Sequence, residues 1–139
     1  MKKLILLSFS AAVLFTACKK EETPDTQKPV ITVTTPAADH VDKIPGDTLN
    51  LAAMLTDNVD LLNAKIDIHV ADGHGHKVTG GAWEWAKVYT INGLEHSLNE
   101  TITIPADAEI GEYHITFETT DKSGNAATPV VIELHIDSL

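Results

Sequence analysis

The residues best suited to chemistry in this chain are histidines, grouped near its middle and on two later segments. His69, His74 and His76 lie within eight residues, in the stretch IDIHVADGHGH. His114 and His135 follow on segments whose composition is typical of β-strands. Neutral imidazole offers a nitrogen lone pair near pH 7, which makes histidine the commonest protein metal ligand. The pattern predicts a metal site, provided that the fold brings these segments together.

Residues 1–17 are predicted to be a targeting signal. Two lysines open the segment, and the apolar run that follows is too short to span a bilayer as a mature helix. The small residues before Cys18 resemble the lipobox of bacterial lipoproteins, which implies cleavage before Cys18 and acylation of that residue. An ordinary secretion signal with a chance cysteine is the alternative.

Cys18 is the only cysteine, so the chain has no internal disulfide, and a metal site must use histidine, carboxylate or backbone oxygen. Two or more acyl chains on one residue would anchor it stably in a membrane. Residues 18–28 have no apolar periodicity and are predicted to be a flexible tether. Their acid-ending charged run resembles the export signal of Bacteroidetes surface lipoproteins. We expect an outer-membrane anchor facing outward, with a periplasm-facing anchor as the alternative.

The charge of the mature chain is strongly negative. Removing residues 1–17 takes away two lysines and no acids, which leaves 122 residues, 8 basic groups, 20 acidic groups and a net charge of −12. This charge disfavours nucleic acid as a partner, because the phosphate backbone repels it. It favours the attraction of cations.

Residues 29–139 are predicted to form one all-β domain, an immunoglobulin-like antiparallel β-sandwich of about seven strands. Short runs of alternating apolar and polar residues are separated by turn-forming residues, and no segment has a helical period of useful length. The predicted strands are 30–34, 48–55, 64–70, 83–91, 98–104, 112–120 and 129–136.

The third, sixth and seventh predicted strands correspond to C, F and G of the immunoglobulin fold, which share a sheet with F in the middle. A glycine and then Tyr113 at the start of F resemble the tyrosine corner of that fold. Tyr113, Ile115 and Phe117 should point inward, because side chains alternate across a strand, and His114 should then point outward.

The same alternation places His69, His114 and His135 on the outer face of this sheet. His69 and His135 lie near the ends of C and G, beside the start of the antiparallel strand F. Opposed Cβ atoms lie about 4.5–5.5 Å apart, so the imidazoles can converge on one ion. His114, on the middle strand, should matter most. The loop after C leaves from this end and carries His74 and His76.

Zinc or copper is the expected ion, because imidazole with carboxylate suits these metals, although nickel and iron are also compatible. Asp67 and Glu133 share the predicted outer face and could orient imidazoles by accepting hydrogen bonds. His40 and His96 fall in predicted loops and are secondary candidates. Surface histidines that are merely solvated are the alternative.

Two acid-rich turns, 57–60 and 121–125, are predicted at the opposite end of the sandwich. Aspartate and asparagine there should serve turn geometry, with a calcium site as the alternative. Trp83 and Trp85 point to one side of their strand. We expect them to pack at the edge of the core, with a sugar-binding platform as the alternative.

Four segments resemble a Bacteroidetes family of small lipoproteins defined only as a domain of unknown function. They are KIDIH at 65–69, DGHGH at 72–76, IPADA at 104–108 and GEYH at 111–114. The resemblance covers roughly residues 28–137 and implies a fold and a location rather than an activity. Members often carry further histidines where Asn50 and Thr101 stand here, so it implies a small site.

We therefore expect a non-enzymatic cell-envelope lipoprotein that binds zinc or copper through His69, His74, His76, His114 and His135. It would serve metal acquisition, buffering or hand-off, with an outer-membrane transporter as a candidate partner. A protein- or glycan-binding module with incidental histidines is the alternative. A zinc hydrolase is disfavoured, because the sheet face is shallow and the sequence has no nucleophile motif or phosphate loop.

The lipobox predicts that the mature protein is held on the membrane through Cys18. Cys18→Ala removes the acylated atom, so it should release the protein from membranes or leave its precursor uncleaved. Membrane fractionation and the mass of the mature chain measure both effects. Unchanged fractionation together with unchanged processing would refute the lipoprotein assignment.

Overall fold

A computed structural model of the chain describes residues 23–71 and 82–138. The predicted signal, Cys18, His74 and His76 lie outside the described residues. Within them the chain is all β, and it contains no helix long and apolar enough to cross a membrane. Its eight strands are β1 (Val30–Thr35), β2 (His40–Lys43), β3 (Thr48–Thr56), β4 (Leu61–Val70), β5 (Trp85–Thr90), β6 (Glu95–Thr103), β7 (Gly111–Asp121) and β8 (Val130–Ile136).

The strands form two sheets, in the orders β1-β3-β6 and β2-β8-β7-β4-β5. This arrangement confirms the predicted β-sandwich, and it places β7 between β4 and β8, as strand F lies between C and G. Neighbouring strands are antiparallel except for β2 and β8, which run parallel. The five-stranded sheet therefore carries the three strands on which histidines are predicted to meet.

Two predicted loops are strands in the structure. His40 begins β2, and His96 lies in β6, which starts at Glu95. A four-residue strand is too short to show a reliable two-residue period, so β2 could not be recognised from the sequence pattern. Its pairing with β8 brings the count within the described residues to eight strands, where about seven are predicted.

The alternation of β7 is as predicted. Tyr113, Ile115 and Phe117 are fully buried, whereas His114 is only partly buried on the other face. The neighbouring strands β4 and β8 bury isoleucine and leucine with the same period, and β3 and β6 complete the core from the other sheet. Burying these apolar side chains is the main force that joins the two sheets.

The predicted tyrosine corner is present at the start of β7. The Tyr113 hydroxyl donates a hydrogen bond of 2.9 Å to the backbone oxygen of Glu109. Burial raises the pKa of Tyr113, which keeps the hydroxyl protonated and able to donate. Trp83 lies 6.2 Å from the Tyr113 ring, and both Trp83 and Trp85 pack partly buried against the core, as expected for core-edge residues.

Tyr113→Phe should lower the free energy of unfolding by about 1–2 kcal/mol, because it leaves the Glu109 carbonyl without its donor inside a packed corner. Urea denaturation measures this change. Thr116→Val is the control. It removes a hydroxyl from the outer face of the same strand, β7, and should change the free energy of unfolding by less than about 0.5 kcal/mol. Equal stability of the wild type and Tyr113→Phe would show that the corner does not hold the strand.

Candidate metal site

A row of polar side chains crosses the outer face of the five-stranded sheet. The strand register pairs His69 with His114, His114 with Glu133, and Glu133 with His40. These residues belong to β4, β7, β8 and β2, so the row spans four adjacent strands. Since opposed Cβ atoms lie about 4.5–5.5 Å apart, each side chain can reach its neighbours.

A second row lies two residues further along β8. In it, His135 is paired with Glu112 on β7 and with Asp42 on β2. Residues two apart on a strand share a face, so His135 and Glu133 project on the same side. The two rows together place imidazoles and carboxylates side by side at this end of the sheet.

The tightest group in these rows is His40, Glu133 and His135. Their ligand atoms all lie within 4.8 Å of one another. The His40 Nδ1 atom is 3.8 Å from Glu133 Oε2, and the two imidazole rings meet edge to face with centroids 4.2 Å apart. Ligands of one tetrahedral zinc lie about 3.4 Å apart, given bond lengths of about 2.0–2.1 Å. Small rotations of these side chains would therefore let all three hold one ion.

Asp42 orients the first of these imidazoles. Its Oδ1 atom is 2.7 Å from His40 Nε2 and 3.8 Å from His135 Nδ1. A carboxylate that accepts the proton of one ring nitrogen leaves the lone pair of the other nitrogen for a metal. Here that other nitrogen is His40 Nδ1, which faces Glu133. The hydrogen bond to Asp42 also raises the pKa of His40, because it favours the charged imidazolium.

His69 and His114 form a separate pair in the first row. Their rings meet edge to face with centroids 5.7 Å apart, and His69 Nδ1 is 2.7 Å from Asp67 Oδ2. Burial alone would raise the pKa of Asp67, but hydrogen bonds from His69 and Lys65 outweigh it and lower that pKa. Asp67 is therefore an ionised acceptor beside His69, the orienting role predicted for it.

The structure groups the predicted ligands differently from the sequence. His69, His114 and His135 share one sheet face, but His135 lies with His40 and Glu133 instead of with the other two. Within residues 23–71 and 82–138, no group of three close ligand atoms includes His69 or His114. Metal binding by those two, and by the undescribed His74 and His76, stays a prediction.

Sequence reasoning underrated His40, although a signal was available. In the stretch HVDK, Val41 packs against the core, so His40 and Asp42 must face outward together. Glu133 was predicted to be an orienting carboxylate, and the structure places it among the ligand atoms. Only the pairing of β2 with β8 reveals that His40 and Glu133 are neighbours.

A shallow depression connects the two histidine groups. Its lining includes His114, Glu133, His135 and Ala71, together with Glu112 and Tyr113. Ala71 is the last described residue before the segment 72–81, which carries His74 and His76. The depression thus gives solvent and small ligands access to the imidazoles from outside the sheet.

The fold and this surface define an all-β sandwich domain with a histidine–carboxylate cluster on one sheet face. The family model described as Domain of unknown function (DUF4625) matches residues 16–137, and the chain belongs to that family. No curated protein matches the sequence.

Two solved structures are similar to this chain over most of its length. A Niemann-Pick type C2 protein from the Japanese carpenter ant has a TM-score of 0.48 and 13% sequence identity, over 80% of this chain and 90% of that one. Spo0M, a sporulation control protein from Bacillus subtilis, has a TM-score of 0.45 and 14% identity, over 81% of this chain and 49% of its own.

In the metal-free protein, His40 should titrate above the ordinary histidine value of about 6.5. The sign follows from Asp42, whose negative charge and hydrogen bond stabilise the protonated ring. Asp42→Asn should lower the midpoint, which NMR titration of the imidazole signals measures. Asp39→Asn is the matched control, because it removes one exposed neighbouring charge without touching this hydrogen bond. Equal midpoints in the wild type and Asp42→Asn would contradict the contact.

Proposed function

We propose that this protein is a cell-envelope lipoprotein that binds one zinc or copper ion on the outer face of its five-stranded sheet. Its ligands are His40, Glu133 and His135. The observation that supports the proposal is the convergence of their ligand atoms within 4.8 Å. The bound metal serves acquisition, buffering or hand-off rather than catalysis.

The donor chemistry supports a transition metal. Two imidazoles and a carboxylate suit zinc or copper(II), whereas calcium prefers oxygen ligands alone. Asp42, 2.7 Å from His40, supplies the outer hydrogen bond that commonly accompanies a metal-bound histidine. The net charge of −12 on the mature chain further raises the local concentration of cations.

The exposure of the site supports hand-off over catalysis. The side chains of His40 and His135 are 36% and 35% exposed, and that of Glu133 is 63% exposed. Catalytic metal centres commonly exclude water, which this open sheet face does not do. Three protein ligands leave a tetrahedral ion with one open position. A ligand from a partner, such as an outer-membrane transporter, could enter that position and take the ion.

The location is part of the proposal and comes from the sequence. An acylated Cys18 would hold the domain on the outer membrane, facing outward, through the tether 18–28. His69 and His114 line the same face, and with His74 and His76 they are candidates for further or transient ligands on the route of the ion. No nucleic acid partner is proposed, because the domain is acidic.

Zinc and copper should each bind the untagged mature chain at neutral pH, as measured by calorimetry. His40→Ala and His135→Ala should each weaken binding by at least about tenfold, since even outer-sphere substitutions cost about 10- to 100-fold in affinity. Affinity should fall as the pH drops through the raised pKa of His40, which lies above the ordinary histidine value of about 6.5, because protons compete for the same nitrogens. The fold should survive both substitutions, because these side chains point away from the core.

His96→Ala is the matched control, because His96 lies on β6 in the other sheet. It should bind both ions as the wild type does. Absence of binding by the wild type, or unchanged binding by both His40→Ala and His135→Ala, would contradict the site. Loss of binding in His114→Ala alone would instead support the triad predicted from the sequence.

A further inference from the structure

Three aspartates meet at the end of the sandwich opposite the histidines. Asp25 precedes β1, Asp57 follows β3, and Asp121 ends β7. Carboxylate oxygens from all three lie within 4.8 Å of one another. Asp121 is seven residues from His114 along β7, a separation of about 23 Å at about 3.3 Å per residue. This cluster is therefore independent of the proposed zinc or copper site.

Part of the cluster performs the turn-forming role predicted for it. The Oδ2 atom of Asp57 accepts hydrogen bonds of 2.9 Å from the backbone amides of Val59 and Asp60. The two oxygens of Asp121 accept bonds of 2.7 Å from the backbone and side-chain nitrogens of Asn125. Turn geometry thus accounts for Asp121 and for one oxygen of Asp57.

Turn geometry does not account for two other oxygens, Asp25 Oδ2 and Asp57 Oδ1. Each has essentially no accessible surface, and each lacks a hydrogen-bond partner within the described part of the chain. A buried carboxylate oxygen without a partner carries a large desolvation cost. The nearby ammonium group of Lys122 lies 2.5 Å from Asp60 and serves that residue instead. A bound cation would supply the partner that these two oxygens lack.

Asp121, the third carboxylate, is buried and ionised. Asp121 is 1% exposed, and burial alone would raise its pKa. Hydrogen bonds from Asn125 and from the amides of Gly124 and Ser123 outweigh burial, so the pKa of Asp121 lies below the ordinary value. The negative charge of Asp121 would attract a cation bound among the three carboxyl groups.

We propose that Asp25, Asp57 and Asp121 form a calcium site. Their donors are all oxygen, which suits a hard cation and disfavours zinc or copper. Calcium takes six to eight oxygen ligands in flexible geometry, so water can complete the shell, whereas magnesium demands near-ideal octahedral geometry.

The position of Asp25 gives this site a mechanical role. Asp25 belongs to the tether predicted between the lipid anchor and the domain. Asn58 donates a bond of 3.0 Å to its side chain, and Asn125 donates one of 3.2 Å to its backbone oxygen. A calcium ion bound by Asp25, Asp57 and Asp121 would fasten the segment before β1 to the end of the sandwich. It would thereby fix the direction in which the domain leaves its anchor.

Calorimetry and thermal unfolding of the full mature chain, stripped of metal with EGTA, test the proposal with calcium chloride as the probe. Calcium should bind with one ion per chain and raise the midpoint of unfolding by roughly 5 °C at saturation, since it binds the folded state only. Asp25→Asn should weaken calcium binding at least tenfold. This variant should fold, because Asp25 lies outside every strand.

Asp107→Asn, an exposed aspartate in the loop before β7, is the matched control and should bind calcium as the wild type does. His135→Ala should also keep calcium binding, which separates this site from the zinc or copper site. Asp57→Asn should behave as Asp25→Asn does. The proposal is overturned if the stripped wild type binds no calcium at millimolar concentration, or if both cluster variants bind it normally.

Discussion

The buried face of β7 is the constraint on which the polar surface depends. Tyr113, Ile115 and Phe117 fill the centre of the core, and the Tyr113 hydroxyl bond to Glu109 fixes where the strand starts. Because the side-chain period of a strand is two, a slip of one residue would move this apolar set into solvent and His114 into the core. The large apolar area of these side chains rules out the slip. The outward position of His114, and through pairing that of its neighbours, follows from the packing beneath it.

The two ends of the sandwich have different donor chemistry. At one end, imidazoles alternate with carboxylates across four strands; at the other, three aspartates supply oxygen alone. Soft or borderline metals prefer the first set, and calcium prefers the second. Because β7 runs the full distance between them, the two proposed ions would not compete for the same ligands.

A local arrangement recurs at the histidine end. His40 and Asp42 are two residues apart on β2, and Asp67 and His69 are two residues apart on β4. In each pair the carboxylate lies 2.7 Å from an imidazole nitrogen, because residues two apart project from the same face. Each ring is oriented by its own strand, and its other nitrogen remains available. The partner strand then decides the neighbour, which is Glu133 for His40 and His114 for His69.

The sequence by itself determined the long strands, their inward and outward faces, the tyrosine corner and the central place of β7. Those features depend on local alternation, which β4, β7 and β8 display over seven or more residues. Only the tertiary structure decided that His40 lies beside Glu133 and that Asp25 joins Asp121. The two residues of each pair are separated by more than ninety positions in the sequence. His40 lies in the short strand β2, and Asp25 lies outside the strands. Local patterns indicate which way a side chain faces, whereas long-range pairing and packing select the residue that it meets.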